Sequence, residues 1–365
     1  MPEGGGDMPG RFLSEERFEW IRQRASEGKA PWPAARAQTL AAAEEALGQE
    51  PLSIRDNGGS PFFRQDAAYL KGKDGVKDES ANHRSSELAG RTSRSCLALA
   101  VAYRLTREER FAEKALALIH AWCINQNTLM FPTGFVVDAW TPGGQYGGDI
   151  VMFASFHDLF LACYLLSGYP GWNLPARAAV KRWVRAMLEP QRKTMFYEGR
   201  EMYNNWEDAR LLYLAKGALF LDDCDLLLEV FERWRTILPM KMTEDGQLPR
   251  ETMRTRSMQY TLFALDSTTQ IAEIARQHGI DLYDCTVNGR CLKKALDYAA
   301  HYLLHMEEWP FQMIAPLTPG PDAQHRMGCF EMAYAKWREP SYLEVLDAYG
   351  GRPLPGHATL LFGAD

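Results

Sequence analysis

Apolar residues recur three and four positions apart through most of the chain, which is the spacing of amphipathic helices. From Leu97 to Ala121 the pattern predicts two helices that break at Thr106, whose Thr-x-x-Glu spacing to Glu109 is that of a capping box. Four comparable helical pairs are predicted over 149–167 with 175–188, 206–220 with 223–237, 260–277 with 290–305, and 325–337 with 340–348. A repeat of helical hairpins therefore runs along the sequence.

The segments between these pairs are long and rich in Gly, Pro and aromatic residues, as in MFPTGFVVDAWTPGGQYGGD and WPFQMIAPLTPGPD. Alternating apolar and polar runs with hairpin turns are sparse, so strands are not expected. Repeated hairpins with long loops favour an all-α fold, an incomplete α/α toroid of about five to six helical hairpins around a central cleft. We expect one domain over residues 1–365, with residues 1–12 flexible.

Composition and charge exclude several classes of protein. The 365 residues are 46% hydrophobic and 24% charged, which is typical of a globular protein and excludes disorder. A formal net charge of −6 argues against nucleic acid as a partner, and no apolar run is long enough to predict a membrane span. The chain as written carries no export signal, which leaves its compartment open.

Cysteine usage does not indicate a metal or redox site. The seven cysteines are an odd number and none belongs to a C-x-x-C pair, so at least one thiol is expected to be free. Cys285 and Cys291 are close enough in sequence for a disulfide, and a reduced loop fits the same spacing equally well.

Two segments concentrate polar, aromatic and cationic residues at helix starts: EMYNNWEDAR at 201–210 and GQLPRETMRTRSMQY at 246–260. Arg254 and Arg256 lie within two turns of Tyr260, where a guanidinium would lower the pKa of the phenol from its usual value of about 10. Such a tyrosine is suited to act as a base and then as an acid. The paired amides of Asn204 and Asn205 can hydrogen-bond a carboxylate and stabilise developing charge.

Together these groups suit β-elimination in an acidic, uronate-containing polysaccharide. A base removes the C5 proton, the neighbouring carboxylate stabilises the enolate, and a proton goes to the departing O4. Neither step requires a metal or an organic cofactor, and the sequence contains no acidic calcium loop, H-E-x-x-H motif or Gly-rich phosphate loop. We therefore expect no cofactor.

Longer stretches resemble the alginate lyase superfamily, the poly(β-D-mannuronate) lyases of polysaccharide lyase family 5 and their relatives. They include LALAVAYRLTREERFAEKALALIHAW, the 127–150 loop, NNW with its following helix, and DGQLPRETMRTRSMQYTLFALDSTTQIAEIARQHGIDLYD. The resemblance implies an incomplete α/α toroid. It also implies that Asn205 and Arg254 neutralise the substrate carboxylate and that Tyr260 is the catalytic tyrosine.

The sequence departs from the family pattern in two places. The family has Asn-Asn-His where this chain has Trp206, which cannot act as a base, so Tyr260 would serve as both base and acid. Alternatively, a histidine from another part of the chain, His83 or His157, takes the role of the missing histidine. The spacing from arginine to tyrosine is one residue shorter than usual, so that either Arg254 or Arg256 takes the arginine's role.

Further residues are candidates for substrate binding, each with a structural alternative. Trp206 either stacks on a sugar ring or packs in the core, and one of the two asparagines is expected to cap the following helix. Arg94 either binds a uronate carboxylate or lies on a solvated helix face. The remaining candidates are Asn204, Arg256, Trp140, Gln145, Tyr146, Glu201 and His83.

Two other functions fit the pattern. A glycoside hydrolase on the same architecture would need two carboxyl groups about 5 to 10 Å apart, which a pair among Glu201, Glu207, Asp208 and Glu251 would supply. A glycan-binding protein that has lost catalysis would explain the tryptophan at position 206.

Overall fold

The computed structural model describes residues 12–65, 74–76, 83–132, 136–137, 149–193, 195 and 203–365. Phe12, the last residue of the segment predicted to be flexible, is buried, with 1% of its surface exposed. Residues 1–11 lie outside the described part of the chain.

Helices make up nearly all of the regular structure in these residues. The α-helices, in chain order, are α1 (Glu15–Ser26), α2 (Trp32–Leu47), α3 (Arg84–Thr106), α4 (Glu109–Cys123), α5 (Asp149–Leu165), α6 (Leu174–Lys193), α7 (Asn205–Leu221), α8 (Cys224–Lys241), α9 (Pro249–Thr252), α10 (Ser257–Gln277), α11 (Leu292–Leu304), α12 (Pro321–Gln324), α13 (Gly328–Trp337), α14 (Pro340–Ala348) and α15 (Ala358–Phe362). Short 3₁₀ helices span Ile54–Asp56, Met306–Glu308 and Pro355–His357. Two-residue strands β1 (Arg64–Gln65) and β2 (Val136–Val137) pair in parallel.

The predicted helical pairs are present, and α1 with α2 forms a further pair that the sequence analysis did not identify. The break at Thr106 is confirmed, but the capping box is not. Thr106 ends α3, and its hydroxyl donates to the carbonyl of Ala102 at 2.9 Å and accepts from the N–H of Glu108 at 3.2 Å. Glu108 is the residue that precedes α4, and its side chain makes no cap.

One helix of each pair faces the inside of a ring. Helices α3, α5, α7, α10 and α13 pack side by side in that order, and α15 lies between α13 and α2, which packs on α3. Helix α7 is buried on every face apart from Trp206, as expected for a helix enclosed by others. This arrangement, with the partner helices α1, α4, α6, α8, α11 and α14 outside the ring, confirms the predicted α/α toroid.

The cysteines are reduced, including Cys285 and Cys291, and four of them lie buried in the core. The core is one continuous cluster that runs from α1 to α15. Among the described residues, no helix is long and apolar enough to cross a membrane.

Candidate active site

Tyr260 lies in the first turn of α10, where its position is fixed by the chain on both sides. The N–H of Tyr260 donates to the carbonyl of Arg256 at 3.0 Å. Just before it, the Ser257 hydroxyl donates to the carbonyl of Gln312 at 2.7 Å, and the N–H of Ile314 donates to the carbonyl of Thr255 at 2.8 Å. The turn that carries the two arginines is therefore held against the segment after α11.

Arg254 contacts Tyr260 directly. Its guanidinium carbon lies 3.9 Å from the centroid of the phenol ring, a cation–π arrangement. The same guanidinium donates from Nε to Oδ1 of Asp74 at 2.9 Å and also from Nη2. The Tyr260 hydroxyl donates to that oxygen at 3.3 Å. A carboxylate, an arginine and a phenol thus meet at one point, although 180 residues separate Asp74 from Arg254 in the chain.

Asp74 is held in place by Thr255 as well. Its Oδ2 accepts from the N–H of Thr255 at 2.9 Å, and its carbonyl accepts from the Thr255 hydroxyl at 2.6 Å. Gly75 adopts a φ of +71°, and a Cβ there would collide with the Thr255 hydroxyl, so this close approach requires glycine. Burial opposes ionisation of the carboxyl, but Arg254 and Thr255 outweigh it and lower the pKa of Asp74 to about 2.

A second group of cations lies beside Tyr260. Nε of Arg256 is buried and has no hydrogen-bond partner. Burial lowers the pKa of Arg326, repulsion from Arg256 lowers it further, and the nearby Tyr260 acts in the opposite direction. Burial likewise lowers the pKa of His325, with Arg94 as the second cause. Arg94, which is solvent-exposed on α3, is thereby brought towards the other cations.

Arg326 and His325 were missed by the sequence analysis, which placed them inside a predicted helix. The signal available was a histidine and an arginine directly before the start of α13 at Gly328. In the described part of the chain, none of the guanidiniums of Arg94, Arg256 and Arg326 has a carboxylate oxygen within 4.0 Å. This group of unpaired cations is suited to bind an anion.

Asn205 is the first residue of α7, and a carboxyl group from another segment fixes it. Oε1 of Glu251 accepts from the backbone N–H of Asn205 at 2.6 Å, and Oε2 accepts from the side-chain Nδ2 at 2.5 Å. Both residues are 1% exposed. Burial raises the pKa of Glu251 to about 7, against the hydrogen bonds from Asn205, which favour the carboxylate.

Comparison with known proteins identifies the family of this chain. The alginate lyase family profile matches residues 21–309, which is most of the chain. The chain belongs to the alginate lyase family. It is accordingly a polysaccharide lyase, as the sequence analysis predicted, and the matched range contains Asn205, Arg254 and Tyr260.

Solved structures share the fold along the whole chain. An alginate lyase from Bacteroides ovatus aligns with a TM-score of 0.80 and 21% identity, over 98% of this chain and 99% of that one. Alginate lyase A1-III from Sphingomonas species A1 aligns with a TM-score of 0.64 and 16% identity, over 99% of this chain and 100% of that one. A histidine-to-alanine variant of A1-III complexed with a tetrasaccharide aligns with a TM-score of 0.67 and 17% identity, over 98% and 97% of the two chains. Comparison with curated protein sequences finds no match.

Three other predicted residues of this lyase lie at the starts of helices. The side chain of Asn204 accepts from the N–H of Trp206 at 3.3 Å, so Asn204 is the asparagine that caps α7. Trp206 is half-buried at the start of α7. His83 precedes α3, and its carbonyl accepts from the Ser86 hydroxyl at 2.8 Å.

His157, proposed as a replacement for the missing histidine, is bound to other groups on the inner helices. Its Nδ1 lies 2.9 Å from Nζ of Lys216 and 2.9 Å from a carboxylate oxygen of Asp158. Burial and the adjacent Lys216 lower the pKa of His157. The described contacts therefore place His157 in a partly buried charge cluster between α5 and α7.

The carboxyl groups proposed for hydrolysis are bound to buried partners. Glu207 is 0% exposed and pairs with Arg210 and Arg233, and Asp208, also 0% exposed, pairs with Lys241. Glu251 is bound to Asn205. The structure therefore does not offer these three as a catalytic pair across a glycosidic bond.

Four predicted site residues lie outside the part of the chain that the structure describes. They are Trp140, Gln145, Tyr146 and Glu201.

Proposed function

We propose that this lyase cleaves a polyuronate of the alginate or polymannuronate kind by β-elimination that depends on side chains alone. The observation that carries this proposal is the carboxylate beside Tyr260. Asp74 places a carboxylate oxygen within hydrogen-bond distance of both the phenol oxygen and Arg254. A uronate carboxylate has the same charge and geometry, and the reaction needs it close to the base.

In the proposed reaction, Arg254 and Asn205 bind the substrate carboxylate and stabilise the negative charge that the enolate places on it. The Tyr260 phenolate removes the C5 proton. The electron pair of the C5–H bond forms the C4–C5 double bond, the C4–O4 bond breaks, and O4 takes the proton from Tyr260. The donation of this proton to O4 regenerates the phenolate of Tyr260, so the proton balance closes within the site and no other reactant is consumed.

The surrounding charges support a base at Tyr260. The guanidinium of Arg254 stacks on the ring, and Arg326 lies within electrostatic range of it, so the phenolate is stabilised by nearby positive charge. Asp74 acts in the opposite direction while it accepts from the hydroxyl. A substrate carboxylate that displaced Asp74 from Arg254 would also remove this opposing charge.

Tryptophan has no basic nitrogen, so Trp206 cannot act as a base in place of the family histidine. Its presence is consistent with Tyr260 as both base and acid. We propose that the half-buried ring of Trp206 stacks on a sugar of the substrate instead. Support for an oligosaccharide in this cleft comes from the A1-III variant solved with a tetrasaccharide on the same fold.

Ultraviolet absorbance tests the proposal, because elimination leaves a C4–C5 double bond that hydrolysis does not. Wild type, Tyr260→Phe and the control Tyr302→Phe are incubated with purified mannuronan, guluronan, glucuronan and pectate. We expect absorbance to rise with at least one substrate for wild type and the control, and to be lost in Tyr260→Phe. Wild-type rates in Tyr260→Phe would overturn the assignment of the base. Reducing ends without absorbance would overturn elimination.

A further inference from the structure

The contact between Glu251 and Asn205 is compatible with two orientations of the side-chain amide of Asn205, depending on whether Glu251 is protonated. A carboxylate only accepts hydrogen bonds, so an ionised Glu251 requires Nδ2 of Asn205 on its side, as the structure has it. The amide oxygen then lies on the opposite side. A protonated Glu251 has one O–H to donate, and it is satisfied when the amide turns and presents Oδ1 to it. Both N–H groups of Nδ2 would then point away from Glu251.

The two orientations differ in what they offer an anion. If Asn205 binds the substrate carboxylate, its N–H groups attract the negative charge that develops there, whereas Oδ1 repels it. An ionised Glu251 directly behind the amide adds a second negative charge. Protonation of Glu251 therefore stabilises the transition state in two ways. It allows the N–H groups of Asn205 to face the substrate carboxylate, and it removes the second negative charge.

We propose that Glu251 is a positioning residue that sets the orientation of the Asn205 amide, and that its protonated form is the one that supports elimination. This inference rests on the proposed function, in which Asn205 binds the substrate carboxylate. It gives the buried acid a role that neither a hydrolase nor a purely structural carboxylate would have.

The charges around Glu251 make both protonation states accessible near neutral pH. Asp208 on α7 faces it and repels its charge, whereas Lys241 on α8 attracts it. Lys241 is itself bound to Asp208, so that one lysine serves two carboxyl groups. Arg254, one turn after Glu251, is a further cation that interacts with it. Burial is the largest cause, and the pKa of Glu251 rises to about 7.

Glu251→Gln tests the proposal because glutamine imitates the protonated acid. Its oxygen can accept from the backbone N–H of Asn205 while its nitrogen donates to Oδ1, which fixes the proposed active orientation at every pH. Glu251→Ala removes both contacts. The control is Glu244→Gln on the preceding connection, where 75% of the glutamate side chain is exposed.

The decisive quantity is the ratio of kcat in Glu251→Gln to kcat in wild type, measured below and above pH 7. Titration of Tyr260 affects both proteins and cancels in the ratio. We expect a ratio near one at low pH that rises about tenfold at high pH, a loss of about tenfold or more in Glu251→Ala, and no change in the control. A ratio that stays flat, or one that falls with pH, overturns the proposal.

A readout without turnover keeps this test separate from the proposed function. In protein labelled with ¹⁵N at asparagine, the side-chain amide signals of Asn205 are identified by their loss in Asn205→Ala. They should shift between low and high pH in wild type and keep the low-pH position in Glu251→Gln. Signals that do not move with pH overturn the amide reorientation even if elimination is confirmed. If Tyr260→Phe remains active, the proposed base fails and these signals still decide the role of Glu251.

Discussion

The main effect of removing the negative charge of Glu207 should be a lower free energy of unfolding, and not a change in catalysis. Its carboxylate accepts from Arg210 Nε at 2.9 Å and Nη2 at 2.5 Å, and from Arg233 Nε at 2.8 Å. Glu207 and Arg210 are 0% exposed, and the side chain of Arg233 is 8% exposed. In Glu207→Gln the fully buried guanidinium of Arg210 would lose the carboxylate with which it pairs, and Arg233 would lose one of its partners.

The expected loss follows from what it costs to leave a buried charge unpaired. Breaking a buried ion pair by removal of one partner costs about 3–5 kcal/mol, compared with a total stability of about 5–15 kcal/mol for a typical domain. We expect the free energy of unfolding of Glu207→Gln to fall by about 3 kcal/mol or more. With a urea dependence of about 3 kcal/mol/M, the unfolding midpoint would fall by about 1 M.

The assay is urea unfolding followed by tryptophan fluorescence, with Glu229→Gln as the matched control. Glu229 also pairs with an arginine, Arg192, but the two side chains are 37% and 30% exposed, so the control should change by less than about 1 kcal/mol. Equal, small changes in both variants would refute the reasoning about buried charge. A fully stable Glu207→Gln that has lost its activity would instead indicate a catalytic carboxylate and favour a hydrolase.

Four further outcomes are expected. Asp74→Ala should lower KM for a polyuronate by about threefold with little change in kcat, because Asp74 competes for Arg254; an unchanged or higher KM in steady-state kinetics contradicts this. Arg326→Ala should raise KM by about tenfold, and the increase should diminish at high salt; a salt-independent change would argue against charge recognition. The pKa of Glu251 is higher in the folded than in the unfolded chain, so wild type should lose about 3 kcal/mol of stability relative to Glu251→Gln as pH rises from about 4.5 to about 7; parallel urea midpoints in the two proteins would contradict it. In the native protein, Cys224 should react first with a thiol reagent and the four buried cysteines only on unfolding, as peptide mapping would show.

The helical architecture was predictable because its signals are local. Apolar spacing along the chain located α3, α5, α7, α10 and α13 of the ring, and the break between α3 and α4 was placed at the right residue, Thr106. The capping box at that break was wrong, since Thr106 completes α3 through its bond to Ala102, and Glu108, which precedes α4, makes no side-chain cap. A Thr-x-x-Glu spacing is compatible with a capping box at the start of α4 and with a threonine that ends α3, and the packing of α3 decides between the two.

The proximity of the candidate site groups was predictable where they are neighbours in the chain. Arg254 and Tyr260 are six positions apart, and the turn before α10 brings the guanidinium onto the ring. Asn204 and Asn205 could be assigned to a helix start, but not told apart. The structure separates them, since Asn204 caps α7 and Asn205 binds Glu251.

The sequence by itself determined the helical hairpins, the family and the arginine–tyrosine turn, because each depends on residues a few positions apart. Only the tertiary structure decided which charges meet. Asp74 reaches Arg254 across 180 residues, and Glu251 reaches Asn205 across 46. Whether a carboxyl group serves as an acid, a charge partner or a positioning residue depends on its burial and on the atoms within hydrogen-bond distance. Those are properties of the packed toroid, in which helices distant in sequence come into contact.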